Sequence, residues 1–149
     1  MPDIVRVTQS QWVEYDGFDQ YTGCKIVRDV DDKDGEERTI WTFYVNVDNL
    51  YLRTEMKGRG TDPRIIEDKF VYGNVLLGLA LVHDLKKTHE TSQPVDGVYE
   101  EIHNERLSIE DYVFHTTRAV APFIIPMIDY LGSLSDGETA LLAQAGDED

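Results

Sequence analysis

TIWTFYVNV, residues 39–47, is the stretch on which the fold turns. Trp41, Phe43, Val45 and Val47 share one parity and alternate with Thr42, Tyr44 and Asn46. A period of two is that of a β-strand with one buried face, and aromatic and β-branched residues suit such a surface. Upstream lies a second β-rich run, CKIVRDV (24–30), followed by DDKDGEER (31–38). Its Asp34-Gly35 pair can supply the positive φ of a tight hairpin. A strand near 24–30 is therefore predicted to pair antiparallel with one near 38–48. DIVRVT (3–8) and QWVEY (11–15) read as further short strands, giving an antiparallel meander of three to four strands. After Val47 the apolar parity flips to Leu50 and Leu52, which a bulge or turn at Asp48-Asn49 accounts for.

The pattern becomes helical near residue 62. Thr61 or Asp62 can cap, and Pro63 fits a first turn, so one main helix is expected over about 62–87. Phe70 to Val82 is apolar almost all round, as in a helix at the centre of a core. Gly73, Gly78 and Ala80 would let a neighbour approach closely. THETSQPVDG (88–97) reads as a loop and 98–106 as a short polar helix. Ser108 should cap the second main helix, about 108–132, with Glu110 and Asp111 in its first turn. Tyr112, Val113, Thr116, Ala119, Val120, Phe123, Ile124, Met127, Ile128 and Leu131 keep the spacing of one helical face. Pro122 and Pro126 predict a kink or break within it. The expectation is a single α+β domain over 1–149: mainly β in 1–60, mainly α in 61–134, with a polar acidic tail at 135–149.

Composition narrows the function classes. Apolar residues at 41% are enough for a core in a chain of 149 residues. MPDIVRV has no basic or apolar leader, and the longest apolar run, Val75–Val82, is too short to span a bilayer. Cys24 is the one cysteine, which excludes an intrachain disulfide and a thiolate zinc cluster. A cytoplasmic protein is the default expectation. Twenty-nine acidic residues against 14 basic ones give −15, dispersed along the chain. That field opposes general DNA binding and anionic membranes. It suits a halophilic acidic coat, a basic protein partner, or mimicry of nucleic-acid charge.

KGRGTDPR (57–64) interrupts the acid. With Arg53 it holds four of the 14 basic residues: Arg53, Lys57, Arg59 and Arg64. It leads into a predicted helix N-terminus, whose free N–H groups favour an anion. Gly58 and Gly60 would admit a phosphate or carboxylate close to the backbone. The spacing is not that of a P-loop. Arg53, Lys57, Gly58, Arg59, Gly60 and Arg64 are thus the candidate ligand- or partner-binding residues.

Other motifs carry less. LALVHDLKK (79–87) places a His83-Asp84 pair at the end of an apolar helix, which resembles an HD-class metal-dependent phosphohydrolase. That class also needs a histidine from an earlier helix, and none precedes His83. DVDDKDGEE (29–37) is similar to a calcium loop, but from Asp29 the sixth position is Asp34 and the twelfth Ile40, where glycine and glutamate are needed. Cys24 sits in a predicted strand, and His115 with Thr116 and Thr117 lacks a third partner. Glu100, Glu101 and His103 read as exposed helix residues. Trp12, Tyr15, Phe18 and Tyr21 could stack bases, which the net charge disfavours.

The expected function is a non-catalytic binding or regulatory subunit without a cofactor. It would act through a protein partner, a homo-oligomer contact or a small anion at 57–64. The alternatives are a metal-dependent phosphohydrolase around His83-Asp84 and an acidic nucleic-acid mimic. If the acid is a halophilic coat, screening relieves like-charge repulsion, and the melting temperature should rise from low to molar potassium chloride. Thermal melts decide this, and an unchanged or lower value in high salt leaves the charge to a partner.

Overall fold

The computed structural model of the protein describes residues 1–33, 35–91 and 108–145. Strand β1 (Asp3–Val7) is followed by a short 3-10 turn at Gln9–Gln11 and an irregular connector. Strands β2 (Cys24–Lys33) and β3 (Glu36–Asn46) form a hairpin around Gly35, whose φ is +76°. Helices α1 (Leu50–Gly58), α2 (Pro63–Thr91), α3 (Ile109–Val120) and α4 (Ile124–Ala145) complete the described chain. The architecture is α+β, and no described helix is long and apolar enough to cross a membrane.

β3 is the central strand, and the expected parity holds. Trp41, Phe43, Val45 and Val47 are buried, and Cys24 and Ile26 of β2 lie opposite Val45 and Phe43 on the same face. This face packs on α2 and α3. The antiparallel meander is corrected: the sheet has three strands in the order β1-β3-β2, and β1 runs parallel to β3. QWVEY is not a strand. Residues 12–18 form a turn-rich connector over the other sheet face, where Trp12 Nε1 donates to Asn46 Oδ1 at 3.1 Å and Tyr15 stacks on Tyr44 at 5.0 Å. With its aromatic side chains committed to that face, the connector carries the chain past β3, so β2 enters on the far edge.

The mainly-β reading of 1–60 is also corrected, because 50–58 is helical. The parity flip at Leu50 and Leu52 marks a helix start. Asn49 caps it, its Oδ1 accepting from Tyr51 N at 2.9 Å and Leu52 N at 3.2 Å. α2 begins at Pro63 as expected and runs past residue 87 to Thr91. The helix expected over 108–132 is two helices. Ser108 caps α3 by accepting from Asp111 N at 3.1 Å, and the chain breaks at Ala121–Phe123, around Pro122. Pro126 falls in the first turn of α4, where its missing N–H costs no helical bond. The expected tail from 135 is the continuation of α4 to Ala145, because Leu, Glu and Ala sustain a helix that Gly132 and Gly137 only weaken. The short helix expected near 98–106, the Asp34 half of the hairpin turn and the terminal GDED lie outside the described residues.

Two glycines of α2 set the packing distances. A Cβ at Gly78 would lie 2.6 Å from Phe43 Cε1, and one at Gly73 would lie 2.6 Å from Ile124 Cγ2. Gly132 has nothing within 4 Å. The same Gly→Ala change should therefore have opposite signs at two helical sites. Gly78→Ala pushes the buried Phe43 ring and should destabilise by about 1–3 kcal/mol. Gly132→Ala removes only glycine's helix penalty and should stabilise by roughly 0.5–1 kcal/mol. Urea unfolding of both variants measures the difference, and equal signs would contradict the packing described.

Candidate functional site

The basic segment sits at the junction of α1, α2 and α4, and most of its charge is already paired. Arg59, at the C-cap of α1, donates from Nε to Glu55 Oε2 at 2.7 Å and from Nη1 to Asp129 Oδ2 on α4. Lys69 of α2 reaches the other oxygen of Asp129 at 2.7 Å. Arg64 donates from Nη2 and from its backbone N to Asp62, each at 2.9 Å. Its guanidinium and then its N–H hold the Asp62 carboxyl below the usual carboxylate range. Asp62 thereby occupies one of the α2 N–H donors that an anion would need. Lys57 is exposed in the last turn of α1. Gly58 and Gly60 border open space, and neither has a left-handed φ. Arg53, in the first half of α1, is engaged elsewhere: it is bound to Asp48, with Nε at 2.8 Å from Oδ1.

Arg53 instead borders a cleft of about 380 Å³ lined by Gln9, Trp12, Asp19, Gln20, Asp48 and Leu50. The cleft has two carboxylates to one guanidinium, the reverse of an anion's requirement. Behind it lies a polar network that the sequence did not disclose. Asn46 Nδ2 donates to Asp19 O at 2.9 Å and Thr22 O at 3.0 Å, and Asn49 Nδ2 donates to Thr22 O at 3.0 Å. Asp19 Oδ1 accepts from Arg118 Nη1 at 2.8 Å, which ties the connector to α3. Thr117 Oγ1 donates to Val113 O at 2.7 Å and accepts from Cys24 N at 3.2 Å. The available signal was Asn46, Asp48 and Asn49 within four residues after a strand, a cluster typical of side chain–backbone bonding.

His83 and Asp84 are exposed on α2, and among the described residues no group of three His, Cys, Asp or Glu side chains could hold a metal ion. Cys24 is buried; burial pushes its thiol far up, and Sγ lies 3.7 Å from Lys25 O. Arg118 stacks over Tyr21 at 5.4 Å, so that ring is engaged within the protein.

A second surface stands out by its chemistry. α2 and α4 run antiparallel, since Gly73 takes Ile124 and Ile128 while Lys69 reaches Asp129. Between them lies a groove of about 420 Å³ lined by Ile65, Asp68, Lys69, Tyr72, Gly73, Leu76 and Ile128. Leu76 is 71% exposed on its wall. Phe123, just before α4, and Met127 and Leu131 on it are 61%, 54% and 59% exposed. These belonged to the face expected to point inward. The break at Ala121–Phe123 resets the helical phase, so of the expected face Ile124 stays buried, Ile125 joins it, and the other three turn outward. Comparison of the chain with protein-family models, curated proteins and solved structures gives no match.

Asp19 and Asp48 make the connector sensitive to acid. Burial raises both carboxyls, but stronger combined hydrogen bonding holds them below the ordinary range: Arg118, Tyr21 N and Thr22 for Asp19, and Gln9 N and Arg53 for Asp48. A lowered folded pKa adds stability that is complete above the unfolded value and lost as pH falls through the folded value. Asp19→Asn should therefore be less stable than the parent at neutral pH. The gap should narrow as pH drops through and below the ordinary carboxylate range. Denaturant melts across that range check it, and a gap that stays constant would separate Asp19 from the effect.

Proposed function

We propose that the protein is a non-catalytic binding subunit that docks on a protein partner through the apolar face shared by α2 and α4. The observation that carries this reading is the open apolar groove, lined by Ile65, Tyr72 and Leu76 of α2 and Ile128 of α4, together with further exposed apolar side chains on the same two helices: Leu79 on α2, and Met127, Leu131 and Leu134 on α4. The α2 set recurs at intervals of 7, 4 and 3 residues, one stripe of the helix. Scattered exposed apolar side chains are ordinary, whereas a contiguous patch along two adjacent helices marks an interaction surface.

In this proposal the segment 57–64 is a strut. Arg59 joins α1 to α4 through Asp129, and a small anion at the loop would have to displace the carboxylates that hold Arg59 and Arg64. Displacing a bound carboxylate returns roughly the free energy gained, so an exposed site of this kind gives weak affinity. The charged groups of the groove lining, Lys69 and Asp68, are both engaged in ion pairs.

Site-specific photo-crosslinking in the source cells tests the reading. A crosslinker at Leu76 or Leu131 should capture one defined protein, and a crosslinker at Val13, which is also exposed, should not. The same product should disappear in a folded Tyr72→Ser, Met127→Ser variant. Capture of the same protein from Val13, or none from either helix, would remove the face from consideration.

A further inference from the structure

We infer that the α2–α4 groove receives an amphipathic helix from another protein, with basic side chains flanking its apolar face. The inference rests on the docking reading above and adds the chemistry of the occupant.

Length argues for a helix. Ile65, Tyr72 and Leu76 extend along 11 residues of α2, about 16 Å at 1.5 Å per residue. That matches the reach of anchors at i, i+4, i+7 and i+11 on a partner helix. A small apolar ligand would fit less well, because such sites enclose most of the ligand's surface, whereas the walls here stand open with Leu76 and Tyr72 more than half exposed.

Charge selects between a second copy and a basic partner. Two copies would bring −15 against −15. Four cations of this region are already held within the protein: Lys69 and Arg59 by Asp129, Arg6 by Glu67 and Asp68, and Arg64 by Asp62. Asp68, on the groove lining, keeps a half-exposed carboxylate beside the apolar floor. Asp68 already holds Arg6, so the attraction for a lysine or arginine flanking an apolar stripe comes from the net charge of the whole chain, which would speed the encounter. Apolar burial would then hold the complex where salt has screened that field.

The test uses the full chain and two fluorescent 18-residue helical peptides with the same leucine stripe. One is flanked by lysine and the other by glutamate. Leu76→Gln and Leu131→Gln leave the net charge unchanged, so they remove apolar contact without altering attraction, and Val13→Gln is the control. Anisotropy titration should show the lysine peptide binding the parent chain at least tenfold more tightly than the glutamate peptide. Binding should weaken at least tenfold in each groove variant and stay unchanged in Val13→Gln. Equal binding of the two peptides, each weakened by the groove variants, would overturn the basic occupant while leaving the docking face in place. Lysine-peptide binding unaffected by Leu76→Gln and Leu131→Gln would be mere charge attraction and would overturn both. Failure of the parent chain to bind the lysine peptide, or a dimer in sedimentation equilibrium that Leu76→Gln dissociates, would also overturn the inference.

Discussion

The ring of Phe43 lies against Gly78, and the rest of the architecture follows from that approach. Phe43 is at the middle of the central strand, and only a residue without Cβ lets α2 come so near. Five residues earlier, Gly73 does the same for Ile124 of α4. At 3.6 residues per turn, two positions five apart lie about 140° from one another around the helix. The sheet and α4 therefore press on α2 from two different directions. The residues left in the wider interval between them are Ile65, Tyr72, Leu76 and Leu79. The open apolar stripe is the geometric remainder of how the two glycines divide α2 between its neighbours. It is not a failure of the core to close, since Phe70, Val71 and Val75 on the covered sides are buried.

Legibility in the sequence tracked how local each rule is. The buried parity of β3 and its hairpin with β2 were readable because a period of two and a turn glycine are local signals. The parallel pairing of β1 was not, because its partner is about 40 residues away and the connector imitates a strand. QWVEY is rich in β-forming residues, yet Trp12 and Tyr15 are anchored by Asn46 and Tyr44, contacts that no spacing rule describes. α1 was hidden by ambiguity at Asn49: the same residue type serves a bulge and a helix cap, and only the bonds to Tyr51 N and Leu52 N decide.

The candidate site was legible as charge and illegible as pairing. Arg53, Lys57, Arg59 and Arg64 stood out against an acidic chain. What the sequence could not give was Asp129, 70 residues from Arg59, or the way Lys69 shares that carboxylate. A carboxylate held by cations from two helices fixes α4 against the α1–α2 junction. Such partly exposed pairs add little stability singly, and their value is greater in fixing the register of packed helices. For α4 the expected face was right at Ile124 and Ile128, missed Ile125, and was wrong in direction at Met127 and Leu131, because the break before Ile124 sets the phase of everything after it.

The acid and the apolar face constrain each other. A patch of leucine, phenylalanine and methionine invites association, and the least selective form of it is self-association. A dispersed charge of −15 opposes that encounter for every copy of the chain. Screening limits the opposition to roughly 8 Å at physiological salt, so it acts at the last stage of approach, when surfaces are close enough to dock. A like-charged apolar surface meets a barrier there, and an oppositely charged one meets attraction. The apolar stripe would supply contact energy with little discrimination of its own, and the surrounding carboxylates would supply the discrimination.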